Sequence, residues 1–125
     1  MANIGLVKSF VAEAVIAAAR IVKPGAAAYG VLQGAAATDK IIGITTEVSA
    51  DAVGERVDVV LDGIADLKLG GTVAAGDLLT SDATGQGVVA APAAGVNNRI
   101  IAVALIAGVS GDIIPVSVEP GSVQG

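Results

Sequence analysis

Cysteine, histidine and tryptophan are absent from the 125 residues, and Phe10 and Tyr29 are the only aromatic rings. Without cysteine there is no disulfide and no thiol nucleophile, and nothing speaks for one redox compartment over another. Without histidine the chain lacks the commonest general base, the commonest imidazole metal ligand and every Ser-His or Cys-His nucleophilic pair. Positive charge is also scarce. Lys8, Arg20, Lys23, Lys40, Arg56, Lys68 and Arg99 are scattered among twelve acidic residues, for a net charge of −5. Nucleic-acid binding draws on a basic patch and, for single strands, on stacking rings, so no nucleic-acid partner is expected. No run of about 20 apolar residues, as a spanning helix needs, occurs anywhere. The longest charge-free segment, 83–98, is broken by Gly85, Gly87, Pro92 and Gly95. Glu13 interrupts the apolar stretch after Lys8, so no signal-peptide core forms, and the reading expects a mature chain starting near Met1 and no membrane partner.

Small aliphatic side chains dominate what is present. Hydrophobic residues make up 54% of the chain, with a mean hydropathy of +0.79. Ala, Val, Ile and Leu supply nearly all of it, and β-branched residues of this kind suit closely packed sheets. The length fits one domain over 1–125, with a modest stability margin when alone. So much apolar surface on a short chain favours burial against copies of itself or against a larger partner.

The pattern from Gly63 to Pro92 organises the rest. Leu67 and Leu69 alternate with Asp66 and Lys68, the two-residue period of a strand with one wet face. Gly70-Gly71 ends that strand, Gly76-Asp77 turns the chain into Leu78-Leu79-Thr80, and Ser81 to Gly85 reads as a hairpin loop. In it Asp82 accepts backbone N–H bonds and Gly85 suits a left-handed position before Gly87 to Ala90 returns. Pro92 closes the region. Upstream, residues 1–9 read as an N-terminal arm. Phe10 to Arg20 is ambiguous, since five alanines favour helix while Val11, Val15 and Ile16 favour strand. Tyr29 to Gln33, Ile41 to Thr46 and Arg56 to Asp62 read as strands. Downstream, Arg99 to Ile106 reads as a strand covered on both faces. Ile113 to Val118, interrupted by Pro115, reads as an edge strand, and 119–125 as a frayed tail. Eight or nine short strands with glycine-rich turns predict an all-β sandwich or barrel.

The opening MANIGLVKSFVAEAVIAAARIVKPG, the Ile42-Gly43-Ile44 strand, the segment GERVDVVLDGIADLKLGGTVAAGDLLTSDATGQG and the strand NNRIIAVALIAG resemble the capsid cement, or head decoration, proteins of tailed bacteriophages. The likeness runs through nearly the whole chain, carried by the order of glycine, aspartate and apolar positions. It implies an all-β fold that clusters as homotrimers on the outer surface of an expanded head in the virion and ties neighbouring major capsid protein subunits together. It also implies that Phe10 to Lys23 is extended rather than helical. No catalytic residue, cofactor site, metal site or motif-defined capsid contact comes with it.

Sharper chemical readings fare poorly beside blander ones. Asp58, Asp62 and Asp66 would share one face of a continuous strand, but four-residue spacings set them roughly 13 Å apart, too far for one Ca²⁺ or Mg²⁺ ion. They read as solvated strand charges. Asp77 and Asp82 read as turn formers rather than ligands. Gly70-Gly71 and Gly85-Gln86-Gly87 match no phosphate-binding loop. No carboxylate pair is spaced for acid and base work, so no enzyme, small-molecule substrate or cofactor is expected. Two alternatives remain. The run from Gly71 to Leu79 is similar to the turn-and-strand rhythm of biotinyl and lipoyl domains, yet the Ser81 to Gly85 hairpin lacks their lysine. A β-rich adhesin component would be expected to expose more rings than Tyr29.

Overall fold

Short β-branched runs punctuated by glycine turns fold into nine strands and, among the described residues, no helix. The computed structural model describes residues 4–46, 49–92 and 94–124. The first five strands are β1 (Ile4–Ala12), β2 (Ile21–Pro24), β3 (Gly30–Gln33), β4 (Gly43–Thr45) and β5 (Arg56–Lys68). β1 pairs with β5, β5 with β4, β4 with β2 and β2 with β3, all antiparallel, and β3 returns parallel to β1. The ring is closed, which removes most of the unpaired edge that an open sheet would present.

The remaining strands are β6 (Leu78–Ser81), β7 (Gly87–Val89), β8 (Asn97–Ala104) and β9 (Ile113–Gln124). They repeat the first scheme, with the far half of β5 standing where β1 stood. β5 pairs with β9, β9 with β8, β8 with β6 and β6 with β7. β7 then meets the end of β5 through a parallel bridge between Leu69 and Gly87. The registers of β1 on β5 and of β5 on β9 coincide at an offset of 57 residues, while β7 follows β3 at 56 and β8 follows β4 at 59. Phe10 faces Val57 as Leu67 faces Ile114, and Val7 faces Val60 as Ile64 faces Ser117. The turns coincide as well. Gly54 N–H donates to the Ala12 carbonyl at 2.8 Å and Ala12 N–H to the Glu55 carbonyl at 2.9 Å; Gly111 and Asp112 hold Leu69 in the same way, both at 2.8 Å. Gly54 and Gly111 share φ 92°, a conformation that costs glycine alone nothing. The chain is therefore two copies of one five-stranded barrel sharing the long strand β5.

Each barrel has its own apolar interior. Ala12, Ile16, Val22, Val31, Val57 and Val59, with Phe10 and Leu61 half-buried beside them, fill the first. Leu69, Val73, Leu79, Ile114, Val116, Leu67 and Val118 fill the second. Ile21, Ile44 and Val60 alternate with the first set and point outward, into the second cluster. That is why Ile21-Val22 of β2 and all of β4 are buried at successive positions, the pattern of strands covered on both faces. Each fully buried Ile or Leu contributes roughly 1.5–3 kcal/mol.

Backbone bonds lock the barrels together. Ile21 N–H donates to the Gly85 carbonyl at 2.8 Å and Arg99 N–H to the Ala37 carbonyl at 2.7 Å. Arg20 Nη1 adds a bond to the Thr84 carbonyl at 2.9 Å. The 82–86 hairpin tip is thus seated on the first barrel.

Several expectations need correction. Arg56 to Asp62 and Asp66 to Leu69 are not separate strands, because Gly63 takes φ 98° as a bulge inside one 13-residue strand. The Asp62 carboxylate accepts the Gly63 N–H at 2.9 Å and steadies that bulge. β9 is not an edge strand, since β5 and β8 flank it. Pro115 is tolerated because its carbonyl meets Leu105, just past the end of β8 at Ala104, so its missing N–H faces no ladder partner. β9 also runs through Pro120 to Gln124, the register slipping between Ile100 and Ala102 so that Glu119-Pro120 bulge. At the other end, Ile4 to Ser9 is the start of β1, laddered to β5, while residues 1–3 lie outside the described residues. Phe10 to Lys23 contains no helix: β1 ends at Ala12, an irregular link follows, and β2 begins at Ile21.

Candidate functional site

The chain's two rings come together at the corner where β1 crosses β3. Phe10 and Tyr29 lie 6.5 Å apart between centroids, tilted by 53°. Lys8 Nζ sits 4.8 Å above the Tyr29 ring, a cation–π distance. Leu6, Lys8 and Phe10 alternate along one side of β1, so they form a stripe leading to the ring. Tyr29 is 63% exposed and holds φ 59°, a left-handed conformation rare for a bulky side chain. Its carbonyl is held by Val11 N–H at 2.8 Å, and Glu13 braces the turn before it by accepting Ala26 and Ala27 N–H, each at 3.0 Å. Sequence reasoning reached Tyr29 only as thin support for an adhesin and missed Lys8. The period-2 spacing of Leu6, Lys8 and Phe10 was the available signal.

The second barrel exposes aliphatic residues instead. Leu105, Ile106 and Val109 project from the β8–β9 loop, with Ile113 at the start of β9. Leu78 and Val89, on paired strands, are also exposed. No sequence motif marked either group.

The aspartates brace turns or sit on strands, and none is brought together with others as a ligand set. Asp58 accepts the Ser9 hydroxyl at 2.7 Å. Asp77 accepts Ala74 N–H at 2.8 Å, and Asp112 accepts Val109 N–H at 3.0 Å. Asp82 accepts the N–H groups of Thr84 and Gln86 at 2.8 and 2.9 Å, as its hairpin position led us to expect. Asp66 faces Pro115 in the ladder. Among the described residues no three His, Cys, Asp or Glu side chains converge to hold a metal ion.

One carboxyl titrates abnormally. Burial alone would raise Asp39, but the Ala35 N–H, the Lys23 ammonium and the Ala36 N–H outweigh it and hold the group below the ordinary carboxylate value. The Lys23–Asp39 ion pair, at 3.1 Å, is partly screened from water and fastens the β3–β4 loop to β2.

No family model matches the chain, and no curated protein matches it. Among solved structures, the fold has a counterpart in a phage virion protein. That structure is the N base of head fiber gp8.5 of bacteriophage phi29, similar over 96% of this chain and 98% of its own, with a TM-score of 0.70 and 13% sequence identity. At that identity the likeness establishes a shared fold.

Proposed function

We propose that the chain is a structural virion protein without enzymatic activity, a head decoration protein of a tailed phage. It binds the outer surface of the expanded head as a homotrimer and ties neighbouring major capsid subunits together, the whole of 1–125 acting as one decoration module. The observation that carries the reading is the fold shared, almost end to end, with the base of a phage head fiber. The sequence resemblance set out above supports it from a separate direction. The physics is compatible: each further contact on a shell becomes intramolecular once the first has formed, so weak aliphatic contacts through Leu105, Ile106 and Ile113 suffice. A net charge of −5 is tolerable outside a shell and would be repelled by packaged DNA inside it.

The biotinyl or lipoyl alternative is disfavoured by a specific contact. Such a module presents its hairpin tip to a partner enzyme, whereas here the 82–86 tip is fastened to the first barrel by Arg20 and Ile21. Cosedimentation tests the proposal. At micromolar concentration the purified protein should pellet with expanded heads of its own phage and not with free DNA, and heads lacking it should rupture at lower temperature. Protein that stays in the supernatant with expanded heads would overturn the assignment.

A further inference from the structure

Closure of the first ring leaves one stretch of β1 outside it. Four successive residues, Leu6 to Ser9, are exposed, so neither face of the strand is covered there. One edge is bare as well. Ala12 N–H donates to the Glu55 carbonyl and Val11 N–H to the Tyr29 carbonyl, so from Val7 onward even-numbered residues bond towards β5 and odd-numbered ones towards the opposite side. β3 occupies that opposite side only at Val11 and Ala12. Val7 and Ser9 therefore turn their N–H and C=O groups outward, with no backbone partner among the described residues. From Leu6 to Ser9 this edge runs for roughly 13 Å. Tyr29 stands at its end, held in a left-handed backbone conformation of the kind that collects at binding sites. Lys8 is the one charge along it, set over the Tyr29 ring and, among the described residues, in no ion pair.

We propose that this edge docks an extended segment of another protein, which adds antiparallel to β1 as a further strand and carries an acidic side chain opposite Lys8. Main-chain bonds to Val7 and Ser9 supply the attachment, as in other strand additions at a sheet edge. Side chains supply the selection. Residues directly opposite in an antiparallel pair share a face, so a carboxylate opposite Lys8 gains its charge and an apolar residue opposite Val7 covers a half-bare valine. The segment that fits therefore alternates acidic and apolar residues, with the Tyr29 ring bounding the site. A second copy of this chain is the poorer occupant. Two β1 edges paired through both outward residues set Lys8 against Lys8, and like charges directly opposite destabilise a sheet. The acidic strand β5 has no edge to give, since β1 and β4 flank its first half and β9 pairs with its second. A lysine on an edge is a common guard against self-pairing, and the same charge admits a carboxylate. The site fixes the chemistry of the partner segment and not which protein carries it, and so goes beyond the function proposed above.

Amide hydrogen exchange read by NMR on the isotope-labelled full chain tests it. In the free protein the Val7 and Ser9 amides should exchange fast and those of Lys8 and Phe10 slowly. The probe is a capped pentapeptide, Thr-Val-Glu-Val-Thr, at millimolar concentration. It should shift and protect the Val7 and Ser9 amides and leave those of the second barrel unchanged, whereas its counterpart with lysine in place of glutamate should do neither. Lys8→Glu, at an exposed position, should reverse that preference, losing the acidic peptide and taking the basic one. Slow exchange at Val7 and Ser9 in the free protein, no shift with the acidic peptide, or equal binding of both peptides would each overturn the proposal. So would protection of these two amides that rises with protein concentration alone, which would make a second copy the occupant. None of these readings uses phage heads, so their failure leaves the capsid assignment standing, and a failed cosedimentation leaves the docking edge standing.

Discussion

Gly43 sits where β4 presses on β5, and replacing it with alanine sets two opposing effects against each other. Its φ is outside the left-handed region, so alanine meets no backbone strain, and the substitution would ordinarily stabilise by about 0.4–1 kcal/mol by narrowing the unfolded ensemble. Here, however, the new Cβ falls 2.5 Å from Val59 Cγ1 and 2.5 Å from the Val60 carbonyl oxygen. Carbon atoms rest at about 3.5–4.0 Å, so something must retreat by about 1 Å. The carbonyl belongs to a strand laddered on both sides and cannot turn away as a side chain could. Overpacking of this kind costs about 1–3 kcal/mol, which wins. With an unfolding entropy near 2.1 cal/mol/K per residue, a net loss of about 1–2 kcal/mol lowers the melting temperature by about 4–8 °C. Gly71→Ala is the control, because its Cβ meets only Val88 Cγ1 at an ordinary 3.7 Å, and it should raise the melting temperature by about 2–4 °C. Calorimetry on both variants at one protein concentration decides. If Gly43→Ala melted at or above the wild type while Gly71→Ala behaved as stated, the close approach of β4 to β5 would be wrong.

The lowered Asp39 carboxyl makes an acid-side contribution. Because the folded-state pKa lies below the unfolded one, this stability is complete above about pH 4 and is lost as pH falls through the folded value. Asp39→Asn should therefore flatten the dependence of urea midpoint on pH in that acid window and leave its slope near neutrality unchanged. Gly111→Ala tests backbone strain alone, since φ is 92° and no atom lies within 4 Å of the added Cβ. It should destabilise by about 1–2 kcal/mol in denaturant unfolding, and no change would refute the turn geometry.

The parts of the fold that were legible in the sequence were those fixed by local chemistry. Asp82 and Gly85 define their hairpin because a short carboxylate and a residue free to adopt φ 74° are what the turn consumes. The all-β class followed from alternation and turn spacing. Non-local features were hidden. Asp62-Gly63 looks like a turn in sequence, and only two flanking partners, Ile4 and Val118, hold it as a bulge. Pro115 suggests an edge, and only the end of β8 at Ala104 makes it harmless in the middle of a sheet. The duplication escaped because equivalent positions share burial rather than identity: Phe10 with Leu67, Ala12 with Leu69, Ile16 with Val73. Gly54-Glu55 and Gly111-Asp112 were its one visible trace. The exposed apolar positions were less legible still, since Leu78 looks in sequence like a core leucine and only the fold leaves it 42% exposed.

A wall common to both barrels also sets the order in which a nascent chain can close. The first ring can complete once residue 62 has left the ribosome, but Ala65 and Leu67 must wait for their partners at 113–118. For the time taken to synthesise some fifty residues, half of β5 hangs as a bare apolar ribbon beside a finished ring. During that interval aggregation competes with folding, and a chaperone able to shield a few aliphatic side chains has most to offer.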